Sequence, residues 1–248
     1  MSSLLKRLQP DEIQSTYKWR IVDHFFAWLE RSKLKNRNFS IISNNCFAGG
    51  IYHKFGLQYN TPTIWTYIFP EEYIRLLENL PFYLSQPLQF TAETKHPLAC
   101  TLNGLMPRDY PIGVLGGDVE IHFMHYETEQ EALEKWTQRL QRLNLSNLFI
   151  IFSLDRGWLE TATMTETLKE ELLERYERLP YPHKIFLSPQ PQVKYKSTVF
   201  VKDCANAPYI YDYTRNRKYE KYVDLIKWFN GEENFLKTKE AKPHELQR

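Results

Sequence analysis

The chain has 248 residues, 42% of them apolar and 25% charged, with a net charge of +2. That supplies enough apolar side chain to bury a core within a single α/β domain, and the near balance of charge excludes bulk electrostatic attraction to nucleic acid or to a membrane. No run of about eighteen apolar residues is present, so no membrane-spanning helix is expected.

The first predicted element is a helix from Pro10 to Arg31, with Ile13, Tyr17, Ile21, Phe25 and Trp28 recurring at three- and four-residue steps. The basic stretch from Lys33 to Arg37 reads as a connector. Phe39 to Ser43 is a short, β-branched central strand, followed by Asn44-Asn45-Cys46-Phe47-Ala48-Gly49-Gly50 and the start of a helix. Thr63 to Phe69 is expected as a second strand. Pro70-Glu71-Glu72 opens a helix through Leu80, and residues 81–108 read as loops and short strands. Pro111 to Leu115 is a strand, and Gly116-Gly117 turns into an alternating strand from Asp118 to Tyr126.

Glu129 to Leu143 is a helix with Leu133, Trp136, Leu140 and Leu143 along its apolar stripe. Asn147 to Phe152 is a buried strand. Thr163 with Glu166 fits a capping box for a helix through Arg178. Lys184–Leu187 and Thr198–Val201 are further strands, and Tyr219 to Phe229 is a final helix. This alternation predicts a largely parallel sheet with helices on both faces. The organisation expected is an N-terminal helix and connector (1–36), an α/β domain (37–230) and a charged, mobile tail (231–248).

Cys46, Cys100 and Cys204 show no paired spacing, no zinc motif and no leader sequence precedes them, which points to free thiols and a cytoplasmic location. Ligands of α/β sheets bind beyond the carboxyl ends of strands, usually where strand order reverses. Ser43 to Gly50 sits at such an end. Gly49 and Gly50 would allow close backbone approach, the helix start offers amides, and Asn44 and Asn45 offer neutral polar contacts. Cys46 near a helix N-terminus is a candidate nucleophile, although a free cysteine also serves as a small buried apolar residue.

A second candidate set is Asp118, Glu120 and His122, which alternation places on one strand face with His125 on the other. Such a set suits acid–base work or cation binding; a hydrogen-bonded core histidine is the structural alternative. Asp155 and Arg156 follow a strand and are candidate ligand contacts, with a loop salt bridge as the alternative. Tyr209 to Lys218 offers tyrosines for stacking and arginines for phosphate, or a solvated loop. No metal motif and no cofactor fingerprint is present.

Ser43-Asn44-Asn45-Cys46 with Gly49-Gly50, Gly56 to Thr63, Tyr110-Pro111-Ile112-Gly113, Glu120 to Tyr126, Ala132 with Trp136, and Asn147-Leu148-Phe149 together resemble a bacterial family of unknown function. Its members are often labelled exopolysaccharide biosynthesis proteins. The resemblance covers about residues 37–230. It implies a three-layer α/β/α sandwich with a mixed, largely parallel sheet, and a place in capsule, exopolysaccharide or lipopolysaccharide production. Asn44, Asn45, Cys46, Gly49, Gly50, Asn60 and His122 carry over as motif residues without roles.

The expectation is a transferase moving a sugar or acyl group from a donor to a glycan acceptor. In the acyl version Cys46 is the nucleophile or the loop amides stabilise an oxyanion, with His122 as base; in the glycosyl version the loop binds a nucleotide-sugar phosphate and Asp118 is base or metal ligand. The alternatives are a non-catalytic carbohydrate- or partner-binding protein working with capsule-assembly proteins, and a glycan-trimming hydrolase. No nucleic-acid partner is expected.

Overall fold

The computed structural model describes residues 24–96, 110–154, 164–190, 195–204 and 217–237. In chain order these form helix α1 (24–32), strand β1 (Ser40–Ser43), α2 (Phe47–Phe55), α3 (Pro70–Glu78), α4 (Leu80–Ser85), β2 (Gln89–Thr91), β3 (Ile112–Leu115) and β4 (Val119–His122). They continue with α5 (Glu129–Leu140), β5 (Leu148–Ser153), α6 (Glu166–Arg178), β6 (His183–Ser188), β7 (Thr198–Phe200), two 3₁₀ turns (Lys202–Cys204 and Lys218–Lys221) and α7 (Leu225–Phe229).

The α/β expectation holds, with the strands divided between two sheets. One is four-stranded and wholly parallel, in the order β1-β5-β6-β7; the other is three-stranded and antiparallel, in the order β2-β3-β4. The parallel order runs in one direction without reversal, so these four strands contain no switch-point crevice of the kind that open α/β sheets use for ligands.

The parallel strands are buried on both faces, which explains their unbroken apolar runs. Ile42, Ile150, Phe152 and Phe186 face a core that includes Tyr73 and Leu77 of α3, Trp136 of α5 and Tyr176 of α6. Ile41, Phe149, Ile151, Ile185 and Val199 face the other side, against Ile51 and Phe55 of α2 and Phe229 of α7. Two buried phenols tie helix to sheet. The Tyr73 hydroxyl lies 3.0 and 2.9 Å from the carbonyls of Ile42 and Ile151, and the Tyr176 hydroxyl 3.3 and 2.8 Å from those of Ile150 and Ile185. Burial pushes both phenols well above their ordinary pKa. Leu115, Val119 and Ile121 of the antiparallel sheet complete the first core.

Several expectations change. Thr63 to Phe69 is no strand; it contributes one antiparallel bridge, Tyr67 to His122. The alternating strand ends at His122 rather than Tyr126. In α5 the buried face is Ala132, Trp136 and Arg139, with Leu133 outward, because Arg139 finds buried aromatic and hydroxyl partners. The α6 cap is Thr165, which accepts from the Leu168 amide. The final helix is split, because Asp224 caps a separate α7 by accepting from Lys227 N. The start of the tail is held: Asp224 N donates to Phe235 O and Lys237 N to Tyr222 O. On α1, Phe25 and Trp28 are 57% and 55% exposed rather than facing inward.

Candidate active site

The carboxyl end of β1 is fixed by side chains that imitate backbone. Asn44 Nδ2 donates to Ser153 O at 2.9 Å, and Asn44 Oδ1 accepts from Ser153 N at 3.1 Å. Asn45 Nδ2 donates to Ser153 Oγ at 2.7 Å, and its Oδ1 accepts from Phe47 N at 3.1 Å. Ser43 Oγ donates to Asn45 O at 2.6 Å and accepts from Ala48 N at 3.1 Å. All of these residues are buried, so leaving any of these groups unpaired would be costly. Asn44 and Asn45, expected as ligand contacts, are therefore spent on internal structure. So are two of the first α2 amides, those of Phe47 and Ala48, that were expected to face a ligand.

The result is that Cys46 stands at the N-cap of α2, making no cap bond with its side chain. Its Sγ lies 3.7 Å from His125 Nε2. Trp65 meets the His125 ring edge-on, with centroids 5.6 Å apart. The Trp65 backbone is left-handed, φ +59°, a conformation that costs a bulky residue roughly 1–2 kcal/mol. Its position is enforced from both sides. A Cβ on Gly49 would lie 2.7 Å from the indole, so Gly49 gives room to Trp65 rather than to a ligand. On the far side Arg139 Nη1 donates to Tyr126 Oη, and Tyr126 Oη donates to Ile64 O at 2.6 Å, anchoring the residue before Trp65. Gly50 meets nothing within 4 Å and keeps its open face.

Cys46 is fully buried, while His125 is exposed at the edge of the cluster. Partial burial of the imidazole nevertheless lowers its pKa below the ordinary histidine value, keeping it neutral and able to accept a proton. The residue sequence reasoning paired with Cys46 was His122; the structure supplies His125 instead. Trp65 and Arg139 carried no signal by motif.

His122 belongs to a different buried cluster. Its backbone pairs with Tyr67, its Nδ1 lies 3.3 Å from the Tyr110 hydroxyl, and its Nε2 lies 3.5 Å from Glu120 Oε2. Glu120 also accepts from Thr94 Oγ1 at 2.6 Å and Lys95 N at 3.0 Å. Burial alone would raise the Glu120 carboxyl, but the nearby His122 imidazole and the hydrogen bonds from Thr94 and Lys95 win and hold it down at about 2. Glu72, also buried, accepts from Glu120 N at 3.1 Å and pairs with Lys95 and His96 at 2.5 and 3.3 Å.

The other expected site residues are dispersed. Asp118 sits in the β3–β4 turn, beyond the opposite end of β4 from His122, accepting from Tyr83 Oη at 3.2 Å and lying 3.6 Å from Arg75. It joins neither Cys46 nor His122. Asn60 is at the amino end of β1, its carbonyl accepting from Ser40 Oγ at 2.8 Å, a strand's length from Cys46. Asp155, Arg156, Cys100, Thr163 and most of Tyr209–Lys218 lie outside the described residues. Among the described residues no group of three or more His, Cys, Asp and Glu is arranged to hold a metal ion, and no helix is long and apolar enough to cross a membrane.

By class, this is an α/β domain that presents a cysteine and a histidine together beside the carboxyl edge of a parallel sheet. Residues 18–230 match the domain of unknown function DUF1919, and the chain belongs to that family. The match begins within the N-terminal segment that sequence reading had placed outside the domain. The chain is also similar to an "Uncharacterized protein" of Haemophilus influenzae, 34% identical over 203 residues that cover 80% of this chain and 87% of that one.

Two stability measurements check the site's construction. Gly49→Ala is expected to lower stability by about 1–3 kcal/mol through overpacking against Trp65, whereas Gly50→Ala should be neutral or stabilise by up to about 1 kcal/mol; equal effects in thermal unfolding would refute the packing account. Because Glu120 titrates at a depressed pKa, its stabilisation is present above the ordinary carboxylate value and is lost as pH falls from about 4.5 toward 2. Glu120→Gln should cost roughly 2 kcal/mol at neutral pH and flatten the decline of melting temperature over that acid range.

Proposed function

We propose that this protein is an acyltransferase that carries the acyl group on Cys46, with His125 as its general base. The observation that supports the reading most is the 3.7 Å approach of Cys46 Sγ to His125 Nε2 at the carboxyl edge of β1. For Nε2 to accept, the neutral ring carries its proton on Nδ1. His125 takes the thiol proton as Sγ attacks the donor carbonyl, then returns it to the departing group, leaving a thioester. An acceptor hydroxyl next gives its proton to His125 and attacks the thioester carbonyl. Sγ leaves and is reprotonated by His125. His125 is the exposed member of the cluster, and Trp65 covers the first turn of α2.

The acceptor proposed is a carbohydrate hydroxyl in bacterial capsule, exopolysaccharide or lipopolysaccharide synthesis, which rests on the sequence resemblance alone. The glycosyl version has less support, because its intended base, Asp118, is a turn residue engaged by Tyr83 and Arg75. The full burial of Cys46 supports a second reading, a non-catalytic glycan-binding protein in which the thiol only packs.

Incubation with acetyl-coenzyme A and with p-nitrophenyl acetate, followed by intact-mass measurement, separates the two. The enzyme reading expects one acetyl group on the wild type and none on Cys46→Ser, with both proteins melting alike. His125→Ala should slow acylation by about a hundredfold or more. Because burial lowers the His125 pKa, the base stays unprotonated below the ordinary value, and the acid limb of the acylation rate should lie below about pH 6.5. A wild type that takes up no acetyl group from either donor sinks the acyl-enzyme reading.

A further inference from the structure

Arg139 lies on the inward face of α5 with Ala132 and Trp136 and is only 7% exposed. A guanidinium in such a place ordinarily lies against a carboxylate, because an interior charge without a counter-charge is costly. Among the described residues its partners are the Tyr126 hydroxyl, to which Nη1 donates, and the faces of the Tyr59 and Tyr126 rings, whose centroids lie 5.2 and 5.8 Å from its Cζ. None of these is a carboxylate. Ring faces and a hydroxyl offset part of the cost and leave the positive charge uncancelled.

The hydroxyl that Arg139 holds belongs to the wall around the thiol. Tyr126 Oη, which accepts from Arg139, donates to Ile64 O at 2.6 Å. Ile64 precedes Trp65, whose indole covers Gly49 in the first turn of α2 and meets the His125 ring. Tyr126 itself follows His125, whose Nε2 is 3.7 Å from Cys46 Sγ. The charges of both residues are felt at this one oxygen. Burial pushes the Tyr126 phenol up, the Arg139 cation pulls it down, and the Glu131 carboxylate and a Cys46 thiolate push it up. Glu131 is the opposing charge on α5, where its carboxylate accepts from Glu127 N at 3.2 Å. The geometry points to Arg139 as the counter-charge of the Cys46 thiolate, a positioning residue that acts across the Tyr126 hydroxyl. A fully buried thiol holds its proton unless a cation stands near it, and arginine is a cation that favours the thiolate. Once Sγ has passed its proton to His125, the anion left behind has the imidazolium beside it and the Tyr126–Arg139 pair behind that ring. The assignment rests on the acyl-enzyme reading only in taking Cys46 as the reacting group.

Thiolate absorbance in the ultraviolet, followed against pH on the full chain with no acyl donor present, tests it. Subtracting the curve of Cys46→Ser made in the same background isolates Cys46 from Cys100 and Cys204. In the wild type the thiolate should form below the ordinary thiol value despite its burial. Arg139→Met fills the same space without charge and should lower the thiolate fraction at a given pH by about tenfold or more. Arg139→Lys, which restores the charge, should recover most of it. Arg139→Gln serves as the neutral variant if the methionine protein does not fold, as judged by its melting temperature. An arginine that only packs predicts a lower melting temperature with the Cys46 midpoint unmoved, and that result overturns the proposal. A wild-type midpoint at or above the ordinary thiol value overturns it too. The two readings fail separately. A midpoint moved by Arg139→Met without acetyl uptake sinks the acyl-enzyme and keeps the counter-charge, and acetyl uptake with an unmoved midpoint does the reverse.

Discussion

The arrangement around Cys46 depends on one carboxamide. The backbone ladder between β1 and β5 pairs Ser43 with Ile151 at its end. Asn44 then continues it with its side chain, whose amide gives to and takes from the Ser153 backbone as a further peptide would. This leaves the Asn44 carbonyl to accept from Ile68 N at 2.8 Å. Ile68 follows Tyr67, which pairs in both directions with His122 at the end of β4. One buried side chain thus lets β1 hold its neighbour in the parallel sheet and, through two residues of loop, the edge of the antiparallel sheet.

That joint explains how two residues far apart in sequence meet as a pair. Cys46 is delivered by the end of β1, His125 by the chain just past β4, and the 64–68 segment fixes the distance between them. The buried acids have a related role. Glu72 on α3 accepts from the backbone of β4, and Glu120 is held by Thr94 and Lys95, so the antiparallel sheet is tied to α3 and to the chain after β2. Each carboxylate is enclosed by donors, which is how charge is tolerated in an interior. Trp65 carries its backbone strain at the point where these constraints converge, a location that favours precise placement over conformational ease.

The elements that sequence made legible are those with strong periodicity or unbroken apolar runs: β1, β5, β6, α3, α5 and α6. The β strands were readable because both sheet faces are buried. The loop after β1 was readable as the end of a strand, but the contacts of its residues were not. Asn44 and Asn45 look alike whether they bind a ligand or staple a strand, and only the distant Ser153 decides between these. His125 was displaced from the alternating pattern because β4 stops at His122, where Tyr67 takes over as partner and the chain turns. Arg139 was unreadable as a core residue because its burial depends on Tyr126 and Tyr59. The outward aromatics of α1 follow a helical repeat as well as any core stripe does, and a repeat alone does not say which surroundings it meets.

The separation between Asn44 and Ser153 has a consequence for how the molecule is made. The two residues are 109 positions apart, and among the described residues β1 has no parallel partner other than β5. At a synthesis rate of about 5–20 residues per second, β1 and α2 wait roughly 5–20 s for that partner to emerge. During that interval the amide-rich end of β1 has nothing to close against, and loop closure over such a span is slow. The thiol therefore acquires its enclosure late, so nascent-chain chaperoning and a reducing environment matter more for this residue than its sheltered place in the finished fold suggests.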